Sequence, residues 1–574
     1  MKKTQTTKLC IKEVNDYLAY AKKNPNRISD DVKLLIKNIV IPTLERDDIF
    51  FDEETYHKCI SFCEKWFYPL FPFQKFRYAF VFMYKKENRN IVIFDDLFDV
   101  MGRGNGKDGY VIPLVLFLLT PAYGIRNYNI DIVATSEGQA IDTFSIAYNM
   151  LEQNMDLMKK HFYWNKTVIM NKVTKSKLVY NTSSAKTKDG KRSGMIVFNE
   201  LHAYEDYKQL NTFSSGLGKT PHARTWTITT DGTVRDGPLD EKKALANDIL
   251  NGRAGIPGMF PFICRMSNEE DCHKPMAKFL KTGKESDIDF TLWEQANPSV
   301  QFLPELRNQI QKDYQKMMKQ SSFKVEFFTK RMNVIKENED EVVASWEDIT
   351  RAISEDLPDL KGKPCIGTLD FSDTRDFTSC GLLFNVDGKK YFIQQSFTPQ
   401  ENPNLPYIKI NIDECVENEW LDILPGKTQD AHKIAKWFCD KGKIYDIKAI
   451  ACDNWRLNDI RAAFDEEGIK EKTKDNPYGL LVGVRSGEFT HSRVANRIQS
   501  DFIEGNVSFG KDKLMRWYIW NTGVKKTKKG NLDYFKIEPK LRKNDGFMSF
   551  VHGYSLIEEI PQSTVSFNIE TISF

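Results

Sequence analysis

The chain has 574 residues, 41% of them apolar and 12% aromatic, and its 82 basic side chains nearly cancel 79 acidic ones. That composition predicts a multidomain globular protein whose nucleic-acid contacts, if any, come from local basic patches rather than bulk charge. Ten cysteines scattered over the chain, without a Cys-x-x-Cys pair or small-scaffold spacing, fit a reducing compartment better than a disulfide framework, and the longest apolar run, "YVIPLVLFLLT" with Pro113 inside it, is too short to span a bilayer, so a soluble intracellular protein with free thiols and no membrane partner is expected.

In chain order, residues 1–66 read as polar amphipathic helices, a cap or arm, because apolar positions recur at three and four between charges. Residues 67–240 alternate short β-rich runs ("LFDVM", "YNIDIVATS", "GMIVFNE", "ARTWTITTDG") with helices, which predicts a parallel sheet covered on both faces. Residues 241–345 are charged and helical, a lid that ends near the acidic stretch "KENEDE", and 346–360 are expected to be a linker. A second α/β unit, 361–574, opens with "PCIGTLDFS" and continues through "TSCGLLFNV" and "KKYFIQQSF", joined by a turn at Asp387-Gly388, then "IKAIACD". The sequence has no internal repeat.

After "LFDVM" comes "GRGNGKDG", Gly102 to Gly109. Successive backbone N–H groups and a helix N-terminus can converge on an anion while a lysine adds a mobile charge. Arg103, Gly104, Asn105, Gly106 and Lys107 offer that geometry. The match to G-x-x-x-x-G-K-[ST] is loose, since its first glycine falls at Met101 and Asp108 stands at the hydroxyl position. A glycine-rich strand-to-helix turn explains the stretch equally well by itself.

Three neighbours favour a nucleotide. "GMIVFNE" ends in Asn199 and Glu200, where P-loop enzymes keep carboxylates for magnesium and the attacking water. Glu200 is placed to polarise water, and the charge missing at Asn199 is expected to be made good by Asp108. "TWTITTDG" gives hydroxyls at Thr229 and Thr230, where P-loop motors sense a γ-phosphate. In "PLFPFQKFRYAF", the two-faced amide of Gln74 suits an adenine edge and Phe73 or Phe76 is placed to stack on the ring; the competing reading of that aromatic run is core.

Farther along, Asp370 ends "CIGTLDFS", Asp453 ends "IKAIACDNW" and Asp545 opens the helix "NDGFMSFVHGYSLIEEI". Two strand-end acids plus one on a helix can surround a pair of Mg²⁺ ions, which is nuclease chemistry; aspartates also commonly start loops after strands. Asp376 is a candidate accessory ligand. The basic stretches "KTKDGKR", "VKKTKKGN" and "KIEPKLRKND" suit DNA phosphates. Neither His57, Cys59 and Cys63 nor Cys264, Cys272 and His273 has zinc spacing.

Taken in order, the glutamine motif at Gln74, "GRGNGKDG", "IVATSEGQA", "FNELHAY", "TTDG", "LWEQANPSV", "FFTKRMN", "LDFSDTRDFTS", "ACDNW" and "KNDGFMSFVHGY" resemble the large terminase subunit of tailed bacteriophages, from about Phe67 to the C-terminus. The resemblance implies an N-terminal P-loop (ASCE-type) ATPase domain with a parallel sheet and a C-terminal RNase H-like nuclease domain. Such a chain drives double-stranded DNA into an empty procapsid with ATP and cuts concatemeric DNA. It implies Lys107 on the β- and γ-phosphates, Glu200 on water, Thr229 and Thr230 coupling hydrolysis to movement, and Asp370, Asp453 and Asp545 at a two-metal site that takes Mg²⁺ or, in its place, Mn²⁺. Arg192 best matches the segment that supplies an arginine to a neighbouring subunit, and Arg103 is the other candidate. The implied partners are the portal protein, a small terminase subunit, double-stranded DNA and further copies in a homo-oligomeric ring, a pentamer by family expectation. The implied place of action is the host cytoplasm and, transiently, the procapsid portal. The departures at 108 and 199 leave two other readings: a stand-alone RNase H-like nuclease on an inactive P-loop scaffold, and a docking protein that only bridges portal and DNA.

Overall fold

The structure, a computed structural model, describes residues 9–181, 192–204, 207–235, 237–253, 258–320, 323–335, 342–527, 530–537 and 542–560. The chain divides into two units, Met1–Lys336 and Glu337–Phe574, at the acidic stretch "KENEDE", which itself lies outside the described residues.

Ser193–Asn199 is buried at every position, so it can only run through the middle of a sheet covered on both faces. The sheet of the first unit has the order Met259–Ile263, Asp96–Val100, Arg224–Thr229, Ser193–Asn199, Asn129–Val133, Lys177–Asn181, Val168–Asn171, Phe162–Trp164. All pairings as far as Lys177–Asn181 are parallel, and the last two are antiparallel. The helices Lys107–Leu118 and Glu137–Gln153 follow the strands Asp96–Val100 and Asn129–Val133. Parallel strands deliver their C-terminal ends to one edge, and the register sets Val100 beside Thr229 and Asn199 beside Ile228. Loops far apart in sequence therefore emerge side by side.

The helices of residues 1–66, expected as a separate cap, share the core of this sheet. Tyr17 lies 4.4 Å, ring to ring, from Phe76, and Tyr56, Cys59 and Cys63 are buried in the same cluster. Asp99, in the strand Asp96–Val100, and Arg77 form a fully buried ion pair at 2.6 Å. Trp226 Nε1 donates to Asp99 at 2.7 Å, the Tyr110 hydroxyl also donates to Asp99, and Arg77 stacks over Phe260. Removing one partner strands a buried charge, so Arg77→Met is expected to destabilise the first unit by about 3–5 kcal/mol. Denaturant unfolding of the full chain measures this, and a change below about 1 kcal/mol would contradict it.

In the second unit the order is Leu421–Leu424, Lys389–Pro399, Thr378–Val386, Pro364–Asp370, Asp446–Asp453, Leu481–Val484. Pro364–Asp370, Thr378–Val386 and Lys389–Pro399 pair antiparallel, and parallel strands flank them on both sides, an RNase H-like arrangement. The Asp387-Gly388 turn has both residues at positive φ, as a tight two-residue hairpin requires. Residues 346–360, expected as a linker, instead begin with the helix Trp346–Ala352. Ser345 caps it by accepting from Asp348 N at 3.1 Å, and Ile349 and Ala352 join the core of the unit. All ten cysteines are unpaired, and among the described residues no helix is long and apolar enough to cross a membrane.

Candidate nucleotide and nuclease sites

"GRGNGKDG" leaves Val100 at the shared edge and turns into Lys107–Leu118 through Gly104 and Gly106, both at positive φ. Its shape is held from outside. Gly102 N donates to Ala296 O at 2.9 Å and Arg103 N to Lys330 O at 2.6 Å. Gly102 must be glycine, because a Cβ there would overlap the Asn297 amide and the Arg331 carbonyl. Asn105, a candidate ligand, is buried and turned inward: it donates to Gly102 O and Asn297 Oδ1, both at 2.7 Å, and accepts from Ser299 N. "LWEQANPSV" and "FFTKRMN" thus act as braces for the loop. The first-turn amides of the helix, from Lys107 onward, have no intrahelical partner and face the same edge.

Lys107 Nζ lies 3.8 Å from Glu200 Oε1, and both side chains are largely buried. Burial works to raise the Glu200 carboxyl, but the Lys107 ammonium, His202 and the Thr230 amide together bring it down to about 2. His202 Nδ1 sits 3.0 Å from Glu200 Oε2, 3.2 Å from Thr229 Oγ1 and 3.3 Å from Thr230 Oγ1. Glu200 is thereby connected to both threonines. Asp108 and Asn199 meet through a third residue: Asn199 Nδ2 donates to Thr143 Oγ1 at 2.6 Å, and Thr143 Oγ1 donates to Asp108 Oδ1 at 2.8 Å. Asn199 Oδ1 is buried without a hydrogen-bond partner. Burial, reinforced by the Glu200 charge, holds the Asp108 carboxyl above its usual range against the pull of Lys107 and Thr143. Sequence reasoning named neither Thr143 nor His202. The first lies in a helix with no motif; the second stands two residues after Glu200, inside a stretch whose signal was legible.

Other candidates fall elsewhere. Gln74 accepts from Phe71 N at 2.9 Å and reaches the Tyr68 hydroxyl, capping its own helix rather than presenting a free amide edge. Phe73 and Phe76 are core residues packed on Phe262, which corrects the expectation that either stacks on a base. Arg103 pairs with Glu326 at 2.8 Å on the surface. Arg192 is exposed at the start of Ser193–Asn199, about 26 Å of extended chain from Glu200 and at the opposite edge, so it does not serve its own loop.

In the second unit, Asp370 and Asp453 end parallel neighbours whose register sets Leu369 opposite Cys452, so both acids leave the sheet together. The helix Asp545–Tyr554 crosses this sheet closely: Gly553 meets the Thr368 methyl, and Ser549 bonds Thr368 at 2.6 Å. Burial, then the charge of Asp545 and that of Asp453, push the Asp370 carboxyl well above the ordinary range, with Lys536 opposing. Lys536 Nζ lies 2.8 Å from both Asp376 and Asp545, and Lys543 also holds Asp376. Among the described residues, no three acids, histidines or cysteines converge to bracket an ion. Crowded, mutually repelling carboxylates are nevertheless the donor set that suits a hard divalent cation. Of "VKKTKKGN", Val524, Lys525 and Lys526 lie in the strand Thr522–Lys526, which pairs with Leu532–Lys536, while residues 528 and 529 lie outside the described residues. Residues 182–191, which hold "KTKDGK", and 538–541 of "KIEPKLRKND" lie outside the described residues.

Two family models match. One is described as the terminase large subunit, ATPase domain, over residues 72–248, the other as the terminase large subunit, endonuclease domain, over 281–551. Protein YmfN of Escherichia coli (strain K12) is 22% identical over 409 residues, 67% of this chain and 82% of that protein. Among solved structures, the HK97 bacteriophage large terminase is 17% identical with a TM-score of 0.46, covering 88% of this chain and 100% of that one. A large terminase from a thermophilic bacteriophage is 12% identical with a TM-score of 0.28, covering 82% and 94%. With the two models lying end to end along one polypeptide, the chain belongs to the terminase large subunit family, an ATPase that drives double-stranded DNA into the phage procapsid and an endonuclease that cuts it.

Proposed function

We propose that ATP is hydrolysed at the edge of the first sheet by a rearranged set of residues. Lys107 binds the β- and γ-phosphates, Glu200 accepts the proton of the attacking water, and His202 orients Glu200 while linking it to Thr229 and Thr230. One observation carries this reading, the hydrogen-bonded chain Asn199–Thr143–Asp108 beside Lys107 and Glu200. Asp108 brings the carboxylate that the strand end lacks, and Thr143 brings the hydroxyl that the loop lacks. The unpartnered Asn199 oxygen fits a metal-bound water. Magnesium held there with the nucleotide would neutralise charge at the β- and γ-oxygens. An eroded scaffold gives no account of this arrangement, which favours a working motor over the silent one. Arg192, remote from its own loop, serves a neighbouring copy in a homo-oligomeric ring, taken as a pentamer.

In the second unit, Asp370, Asp453 and Asp545, with Asp376 as accessory, would hold divalent cations, Mg²⁺ or Mn²⁺, which would supply the activation of water for phosphodiester cleavage. DNA and the capsid portal are the partners of this family; a small terminase subunit that delivers the DNA, and action in the host cytoplasm, complete the proposal.

The exchange is tested by reverting it. Asp108→Thr alone is expected to lower ATP turnover by on the order of 10²-fold, and Asp108→Thr with Asn199→Asp to recover it to within about tenfold of wild type, a coupling read from a double-mutant cycle. Additive losses would separate the two residues and defeat the assignment.

A further inference from the structure

Large aromatic side chains are seldom left in water. In the second unit, two stand exposed just after the neighbouring strands Asp446–Asp453 and Leu481–Val484: Trp455 at 85% and Phe489 at 66%. Their position follows from the sheet. Asp453 pairs with Val484 in parallel register, and Asn454 N donates to Val484 O at 2.9 Å, so the turns after both strands run side by side. The first turn carries Trp455, whose backbone N–H donates to Asp453 Oδ1 at 3.0 Å. The second bends at Gly487, at positive φ, into the helix Glu488–Glu504, which presents Phe489 with the Arg485 guanidinium 5.9 Å from its ring. The turn carrying the indole is thus fastened to a carboxylate of the proposed cutting edge, and a guanidinium accompanies the phenyl ring. An aromatic face plus a cation is the chemistry that recognises a nucleobase and its phosphate.

We propose that Trp455, supported by Phe489 and Arg485, forms a base-stacking subsite that unstacks one step of the duplex beside the phosphodiester to be cut. The position of the cut edge rests on the assignment of Asp370 and Asp453; the stacking itself does not. Inserting an apolar ring between base pairs costs least at flexible pyrimidine–purine steps, so the subsite biases where the nuclease cuts without reading base edges.

The test uses the full chain carrying Asp370→Asn, with duplex oligonucleotides bearing the fluorescent base 2-aminopurine at successive steps. Binding is expected to raise fluorescence at one step. Trp455→Ala abolishes the rise and weakens binding by about fivefold or more, whereas Trp455→Phe retains both. The salt slope of binding stays unchanged in Trp455→Ala and falls by about one charge in Arg485→Ala. In the chain with Asp370 intact, Trp455→Ala flattens the step preference of the cuts while cutting continues. No fluorescence rise at any step, or a rise that survives Trp455→Ala, overturns the proposal. So does a Trp455→Ala chain that binds and cuts as wild type but fails to fill procapsids, which would assign the ring to a protein contact. Cutting by Asp370→Asn would count against the metal-site assignment, and the fluorescence would still report on stacking.

Discussion

Glu200→Gln is expected to reduce ATP turnover by about 10²–10⁴-fold while nucleotide binding stays close to wild type. The amide keeps the shape of the side chain and its backbone, which already adopts positive φ at this position, but cannot take a proton. The structure also indicates the pH behaviour. The Glu200 carboxyl, held at about 2, is ionised throughout the working range, so it contributes no acid limb to turnover above about pH 4. The sign for stability agrees: a depressed carboxyl contributes its full stability above its unfolded value and loses it progressively as pH falls from there through about 2. Removing Lys107, the largest favourable charge on Glu200, would let that carboxyl rise. The measurement is single-turnover hydrolysis beside equilibrium binding of a fluorescent ATP analogue, with DNA and portal present so that a neighbouring arginine is supplied. Turnover by Glu200→Gln within about tenfold of wild type would remove Glu200 from the role of base.

Asp453→Ala and Asp370→Asn are each expected to abolish DNA cutting and leave hydrolysis near normal. The two activities sit in separate compact units, so a change at one set of strand ends leaves the other intact. Within the second unit the losses should not be graded. Asp370 is already pushed up by burial and then by Asp545 and Asp453, so removing any one acid would change both the charge and the donor count available to a pair of cations. Plasmid cutting and phosphate release measured on the same preparation decide the matter. Equal loss of both activities would contradict the separation, and cutting that persists in both variants would remove these acids from the nuclease site.

The strand-end residues were legible because a buried strand followed by a polar residue says where the chain surfaces. "GMIVFNE" and "CIGTLDFS" carry that signal unaided. Thr143 was not legible, since its place beside Asp108 and Asn199 depends on how a crossover helix lies on the sheet, and a threonine inside an amphipathic pattern has no local mark. Gln74 and residues 346–360 were misread although the signal existed. "FPFQ" puts proline at the first helical position and glutamine at the third, and "SWED" puts serine before an acid three residues on; both are helix-start signatures. Asn105 has the loop position of a ligand, but its amide is spent on bracing the loop itself.

The bracing of "GRGNGKDG" by Ala296, Asn297, Ser299 and Lys330 has a consequence in time. A ribosome releases the loop, Glu200 and both threonines long before it releases the residues that fix the loop's curvature. A chain ending at the helix Pro238–Leu250 would carry Lys107, Glu200, Thr229 and Thr230 but none of the downstream residues that brace the loop. The curvature of the loop is therefore set by residues about 190 to 230 positions downstream of it, so truncating the chain before Ala296 is expected to leave the loop without the contacts that shape it.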